Sequence, residues 1–136
     1  MTPGVSRLSV AALKYAPMIP GRIHGVGFGW INLGGSIFEH DRIVHPDGVS
    51  PVWWRRSRHD FVLEDALEIL AAYPIRVLIV GTGWMGMLRV ADEEISAALA
   101  ERGVGFEVMR TPDAASRWQR TFAEGIPCAA ALHLTC

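Results

Sequence analysis

The residues whose types and spacing could do chemistry are concentrated in one run, Val77-Leu78-Ile79-Val80-Gly81-Thr82-Gly83-Trp84-Met85-Gly86. An apolar β-branched stretch followed by G-x-G-x-x-G is the pattern of a dinucleotide site. The glycines let a pyrophosphate approach the backbone, and the helix that follows presents its N-terminus to it. The spacing argues against that use here. The next helix start is Asp92-Glu93-Glu94, six residues beyond Gly86. Acidic residues suit a first helical turn because they complement the dipole, but they repel a phosphate. The plainer expectation is a strand-ending loop that uses glycine for its backbone angles.

Other reactive side chains form no motif. The five histidines, His24, His40, His45, His59 and His133, show neither HExxH nor paired spacing, so no metal site is assigned. His133 falls in an apolar strand-like run and is expected to be a core or edge histidine held by a hydrogen bond. No serine occupies G-x-S-x-G. Cys128 reads as a small buried hydrophobe, and Cys136 has no nearby cysteine partner. Glu39 and Asp41 surround a predicted turn and are expected to be solvated, and Glu64, Asp65 and Glu68 to decorate an exposed helix face. No catalytic residue and no cofactor is assigned.

The elements that must position anything are two textures of chain. Arg22 to Trp30 and Ser36 to Val44 read as short antiparallel strands, punctuated by Gly34-Gly35 and by Pro46-Asp47-Gly48. From residue 60 the period changes. Val62, Ala66, Ile69 and Leu70 predict a helix, 76–80 a buried strand, and Ile95, Ala98 and Leu99 a second helix stopped by Gly103. Gly105 to Met109 predicts a strand, Pro112 the first turn of a third helix, and Pro127 to Leu134 a last strand. The order β-α-β-α-β with short connections argues for an α/β fold around a parallel sheet.

Ligands on open parallel sheets bind beyond the carboxyl ends of the strands. Those ends carry Gly81, Thr82, Gly83, Trp84, Arg110 and Thr111, a candidate pocket in which amides, a hydroxyl and a guanidinium could hold a small anion. The connection Trp53-Trp54-Arg55-Arg56-Ser57-Arg58 is bulky and locally basic. Such residues can stack on and clamp a single-stranded nucleic acid, but a tryptophan pair packed over the sheet is the simpler expectation. Trp53, Trp54, Arg55 and Arg56 are also a candidate protein contact, because tryptophan and arginine are favoured at interface hot spots.

Composition sets the bounds. The 136 residues are 50% hydrophobic, with 13 basic and 14 acidic side chains and a net charge of −1. That supports one domain with a real core and gives no bulk attraction to nucleic acid or membrane. No apolar run has the roughly 18 residues that span a bilayer. Residues 18–136 read as one α/β domain and 1–17 as an N-terminal extension, acid-free but broken at Pro17. The arginine-rich composition and unpaired cysteines fit a reducing bacterial cytoplasm.

The ordered set Gly34-Gly35-Ser36, Pro46-Asp47-Gly48, Gly81-Thr82-Gly83, Glu107-Val108-Met109-Arg110-Thr111, Glu124-Gly125 and Ala129-Ala130-Ala131-Leu132-His133-Leu134-Thr135-Cys136 resembles a known family. It is the small domain-of-unknown-function family that includes the mitochondrial complex I assembly factor three and the adipogenesis-associated domain protein. The resemblance implies a three-layer α/β/α sandwich with a central, mostly parallel sheet and an additional N-terminal antiparallel β portion. It also implies no established catalysis. The mitochondrial member works with another assembly factor, so a eukaryotic chain of this kind would be mitochondrial. The expected function is therefore a non-enzymatic interaction or assembly-factor-like protein, with another protein as partner. The alternative is an enzyme or sensor taking a nucleotide or sugar phosphate at the Gly81–Gly83 loop.

Overall fold

The computed structural model describes residues 23–136; the expected extension, residues 1–17, and the start of the first predicted strand at Arg22 lie outside them. The amino-terminal part forms a three-stranded antiparallel sheet of β1 (Ile23–Gly27), β2 (Trp30–Leu33) and β3 (Ser36–Glu39). Each of the two strands expected here is cut in two. Gly29 turns the chain at φ 84°, and His40 at φ 66° separates β3 from β4 (Arg42–His45). His40 is the one non-glycine described with positive φ, a conformation histidine tolerates better than most side chains. After β4 come β5 (Gly48–Val49), β6 (Asp60–Phe61), α1 (Leu63–Ala72), β7 (Val77–Gly81) and β8 (Arg89–Val90). The chain then continues through α2 (Asp92–Ala100), β9 (Gly105–Met109), α3 (Thr111–Ala123) and β10 (Cys128–Leu132).

The main sheet has the order β5-β4-β10-β7-β9. β10, β7 and β9 run parallel, and β4 and β5 extend them antiparallel. Alternation along β7 sends Leu78 and Val80 to one face and Ile79 to the other. The first face packs under α1 and α2 with Ala66, Ile69, Ile95 and Leu99. The second packs under α3 and the three-stranded sheet with Trp118, Ile31 and Leu33. The expected three-layer α/β/α architecture with an antiparallel N-terminal portion is thus present. Among the described residues no helix is long and apolar enough to cross a membrane.

Local signals account for the helix ends. The acidic first turn of α2 is Asp92, Glu93 and Glu94, and Gly103, at φ 72°, lets the chain turn away after it. Pro112 lies in the first turn of α3. Asp65 corrects its expected role on an exposed face. It is 2% exposed, and its Oδ2 accepts the Val62 N–H at 2.9 Å, capping α1. A short carboxylate at the third helical position can reach back to an amide that no helical carbonyl can satisfy.

Two tryptophans illustrate how differently the chain uses one residue type. Trp118 is fully buried and donates Nε1–H to the Cys128 carbonyl at 3.0 Å, fastening α3 to β10. Trp54 is 83% exposed. Trp118→Ala is expected to cost about 3–5 kcal/mol, and Trp54→Ala within about 0.5 kcal/mol of nothing, measured by chemical denaturation.

Candidate functional site

The glycine loop is where the sequence placed an anion, and its amides are already engaged. Thr82 N–H donates to Met109 O at 2.9 Å, and Gly83 N–H to Thr111 Oγ1 at 2.9 Å. Trp84 N–H donates to Thr135 O at 2.7 Å, and Met85 and Met87 N–H both reach Cys136 O, at 3.2 and 3.0 Å. Leu88 N–H returns to Thr82 O at 3.1 Å. The segment after β10 thus crosses the ends of the parallel strands and occupies the crevice with its own carbonyls. The Thr111 hydroxyl, a further expected ligand group, donates to the His133 carbonyl. Arg110 is exposed and lies alongside Gly86, with no hydrogen bond from its guanidinium to the loop among the described residues. The structure therefore brings Gly81, Thr82, Gly83, Trp84 and Thr111 together as a backbone clamp rather than an open cradle.

The glycines serve that clamp in different ways. Gly83 has φ 103°, and a Cβ there would fall on the Cys136 backbone. Gly81 has ordinary angles, but its Cβ would stand 2.8 Å from Thr111 Oγ1 and 3.0 Å from Leu132 Cδ2. Close approach, rather than left-handed backbone, demands glycine at Gly81.

A cleft of about 610 Å³ opens beside this clamp. Its organising group is Asp41. β4 and β10 pair antiparallel with Arg42 opposite Leu132, so one further step along both chains brings Asp41 to His133. Asp41 Oδ2 accepts His133 Nδ1–H at 2.8 Å and Arg55 Nη1–H at 2.8 Å. Its Oδ1 accepts Leu134 N–H at 2.8 Å. Asp41 is not the solvated turn residue the sequence suggested. Burial pushes its carboxyl up, but the hydrogen bonds from His133, Leu134 and Arg55 outweigh burial and hold it below the ordinary aspartate value of 3.8. The bond from Nδ1–H sets the His133 tautomer, and Nε2 of this cleft-lining side chain has no hydrogen-bond partner among the described residues. The expected hydrogen-bonded histidine is present, with a carboxylate as its partner.

The candidate contact residues divide. Trp53 is half-buried against Phe61, with ring centroids 5.7 Å apart, and only Trp54 stands out into solvent. Arg55 is no surface contact: its side chain is 6% exposed, with the guanidinium over the Trp53 ring at 4.7 Å and Nη2–H donated to the Arg58 carbonyl at 2.7 Å. Arg56 points elsewhere and pairs with Glu68. The cleft instead adds Arg58, His59, Met87 and Arg89, which sequence reasoning placed in neither candidate site. Arg89 is held by Asp60, 2.7 and 3.1 Å from Nε and Nη2. Only the run of arginines after Trp54 offered a local signal for any of these. Cys128 is a buried core thiol, pushed up to about 12 by burial.

A family profile described as "Protein of unknown function (DUF498/DUF598)" matches residues 23–133. The chain belongs to this family. That bears out the resemblance drawn from the sequence to a domain-of-unknown-function family. No curated protein matches the chain. Among solved structures, the chain is similar to a conserved hypothetical protein from Pyrococcus horikoshii OT3, with 28% identity over 85% of this chain and 99% of that one, at a TM-score of 0.66. A second, described as an outer membrane protein from Bartonella henselae, shares 26% identity over 87% and 99% at a TM-score of 0.69. A Bordetella pertussis protein described as a Mth938-like domain shares 22% over 98% and 92% at a TM-score of 0.59, a likeness of fold alone.

Asp41→Asn is expected to destabilise by about 3 kcal/mol, because it leaves the Arg55 guanidinium without its anion in a buried site. The lowered Asp41 pKa contributes stability that is present above the ordinary value of 3.8 and lost as pH falls through the folded value. Denaturation midpoints of the wild type should therefore drop below that pH, and Asp41→Asn should drop less. Gly83→Val should cost more than the ~1 kcal/mol typical of point mutants; full stability in that variant would show that the clamp is dispensable.

Proposed function

We propose that this protein is a non-enzymatic interaction protein, assembly-factor-like, that docks a partner protein at the rim of the Asp41–His133 cleft. The exposed Trp54 carries the proposal. A tryptophan 83% in solvent gains far more from a partner's surface than from water, and Met87, 61% exposed, stands at the same cleft. Arg55 and Trp53 beneath it are fixed by packing and by Asp41, so the shelf that presents Trp54 is ordered before a partner arrives. The resemblance to a family whose mitochondrial member works with another assembly factor supports the same class of role. Composition supports action in a bacterial cytoplasm. The alternative at the Gly81–Gly83 loop has less support, since the amides an anion would need are bound to the chain's own carbonyls.

Tagged wild-type protein, Trp54→Ala and Ile37→Ala are compared by affinity purification from the native cell at matched levels. Ile37, 57% exposed on the three-stranded sheet, is the control. A partner retained by the wild type and Ile37→Ala, and reduced about thirtyfold or more by Trp54→Ala at unchanged melting temperature, is the expected result. Recovery unaffected by Trp54→Ala rejects the docking site.

A further inference from the structure

We propose that the cleft beside Asp41 and His133 is a binding site for a small organic anion, a carboxylate or phosphate monoester carried on an apolar or planar body. The inference goes beyond the docking of a protein partner and does not depend on it.

Charge balance in the cleft is the first observation. Among the described residues Asp41 carries the sole acidic side chain lining it, and its oxygens accept from Arg55, His133 and Leu134. Asp41 is therefore committed to Arg55, and three of its acceptor positions are taken. Arg89 lines the same cleft, and among the described residues its Nη1 has no hydrogen-bond partner while Asp60 holds its other nitrogens. Arg58 is exposed and has no ion pair among the described residues. A concave, partly apolar wall focuses such a cationic excess, and a planar guanidinium matches a carboxylate or phosphate with two parallel hydrogen bonds.

The second observation is the buried base of the site. Arg55 is more than nine-tenths buried, its Nε has no acceptor among the described residues, and its side chain contributes to the cleft wall. Asp41 and the Trp53 ring hold it in place. His133 offers Nε2 at the same wall, oriented by Asp41 from behind. With Nδ1–H given to Asp41, Nε2 is a lone-pair acceptor and takes a donor hydrogen of the ligand, such as a phosphate monoester hydroxyl.

The third is the apolar lining. Val52, the Trp54 ring and Met87 border the opening, so a ligand that is only an ion leaves this surface uncovered. The volume of about 610 Å³ is that of an ordinary small-molecule site. These walls fit an anionic head on an apolar or planar body, the head toward Arg58 and His133 and the body against Trp54.

Phenyl phosphate, benzoate, inorganic phosphate and phenol serve as probes, each titrated to about 10 mM, with melting temperature and tryptophan fluorescence as readouts. The proteins are the wild type, Arg58→Gln, and Arg120→Gln as an exposed arginine on α3 away from the cleft. Saturable binding of phenyl phosphate or benzoate, tighter than that of inorganic phosphate or phenol, is expected. Arg58→Gln should weaken it about tenfold or more, and Arg120→Gln should leave it unchanged. Which of the two organic anions binds better assigns the head group. No saturable response to either organic anion overturns the site. Equal affinity in Arg58→Gln does so too, and inorganic phosphate binding as tightly as phenyl phosphate overturns the organic body. Partner recovery with Trp54→Ala is a separate measurement, and neither result decides the other.

Discussion

The structure depends on the placement of β10, which follows every other described strand in sequence and lies in the middle of the main sheet. It pairs with β4 on one side and β7 on the other, and each of its five residues is buried. Ala129, Ala130 and Ala131 keep both faces thin, so the α1–α2 layer and the α3 layer can both close on it. A strand in that position must emerge at the carboxyl end of the sheet, between the ends of its neighbours. His133 to Cys136 therefore run over the place where parallel sheets commonly receive a ligand. The glycine loop after β7 takes their carbonyls in place of a phosphate.

With that crevice filled, the candidate site lies on the antiparallel side of β10. Asp41 is the junction there. A carboxylate in such a position is unfavourable by burial alone, and three donors from two parts of the chain reverse the balance. One donor is the backbone of Leu134, one the imidazole of His133, and one the guanidinium of Arg55. Each is immobilised by the same acceptor, so the tail, the histidine and the Trp53–Arg58 connection share one geometry. The cleft is consequently a rigid feature of the sheet end rather than a gap between loops.

Much of the fold was legible because its signals are local. The apolar run ending at Gly81, the acidic turn at Asp92, the stop at Gly103 and Pro112 each act within a few residues, and each element lies where those signals put it. The splits at Gly29 and His40 were missed because a single turn residue inside an apolar stretch leaves its period almost intact. The site was far less legible. Asp41 and His133 are separated by 92 positions, and only the β4–β10 register joins them. Nothing beside Asp41 in the sequence distinguishes it from Glu39, which remains exposed. The glycine loop misleads for the same reason, since the partners of its amides, among them Met109, Thr111, Thr135 and Cys136, lie far along the chain. Asp65 differs: its place three residues after Val62 was a local capping signal that the exposed-face assignment overlooked.

The late position of the central strand also bears on how the protein is made. As the chain leaves the ribosome, β4 and β7 are both made well before β10, and until residue 128 each lacks the strand that pairs with its inner edge. Such edges are templates for pairing with other chains. The nascent polypeptide thus carries an incomplete sheet whose closure waits on a few alanines, and a ribosome that stalls before residue 128 releases a species missing its spine. For this molecule, the interval between the emergence of β9 and that of β10 is the period of greatest exposure to aggregation and to the chaperones that guard against it.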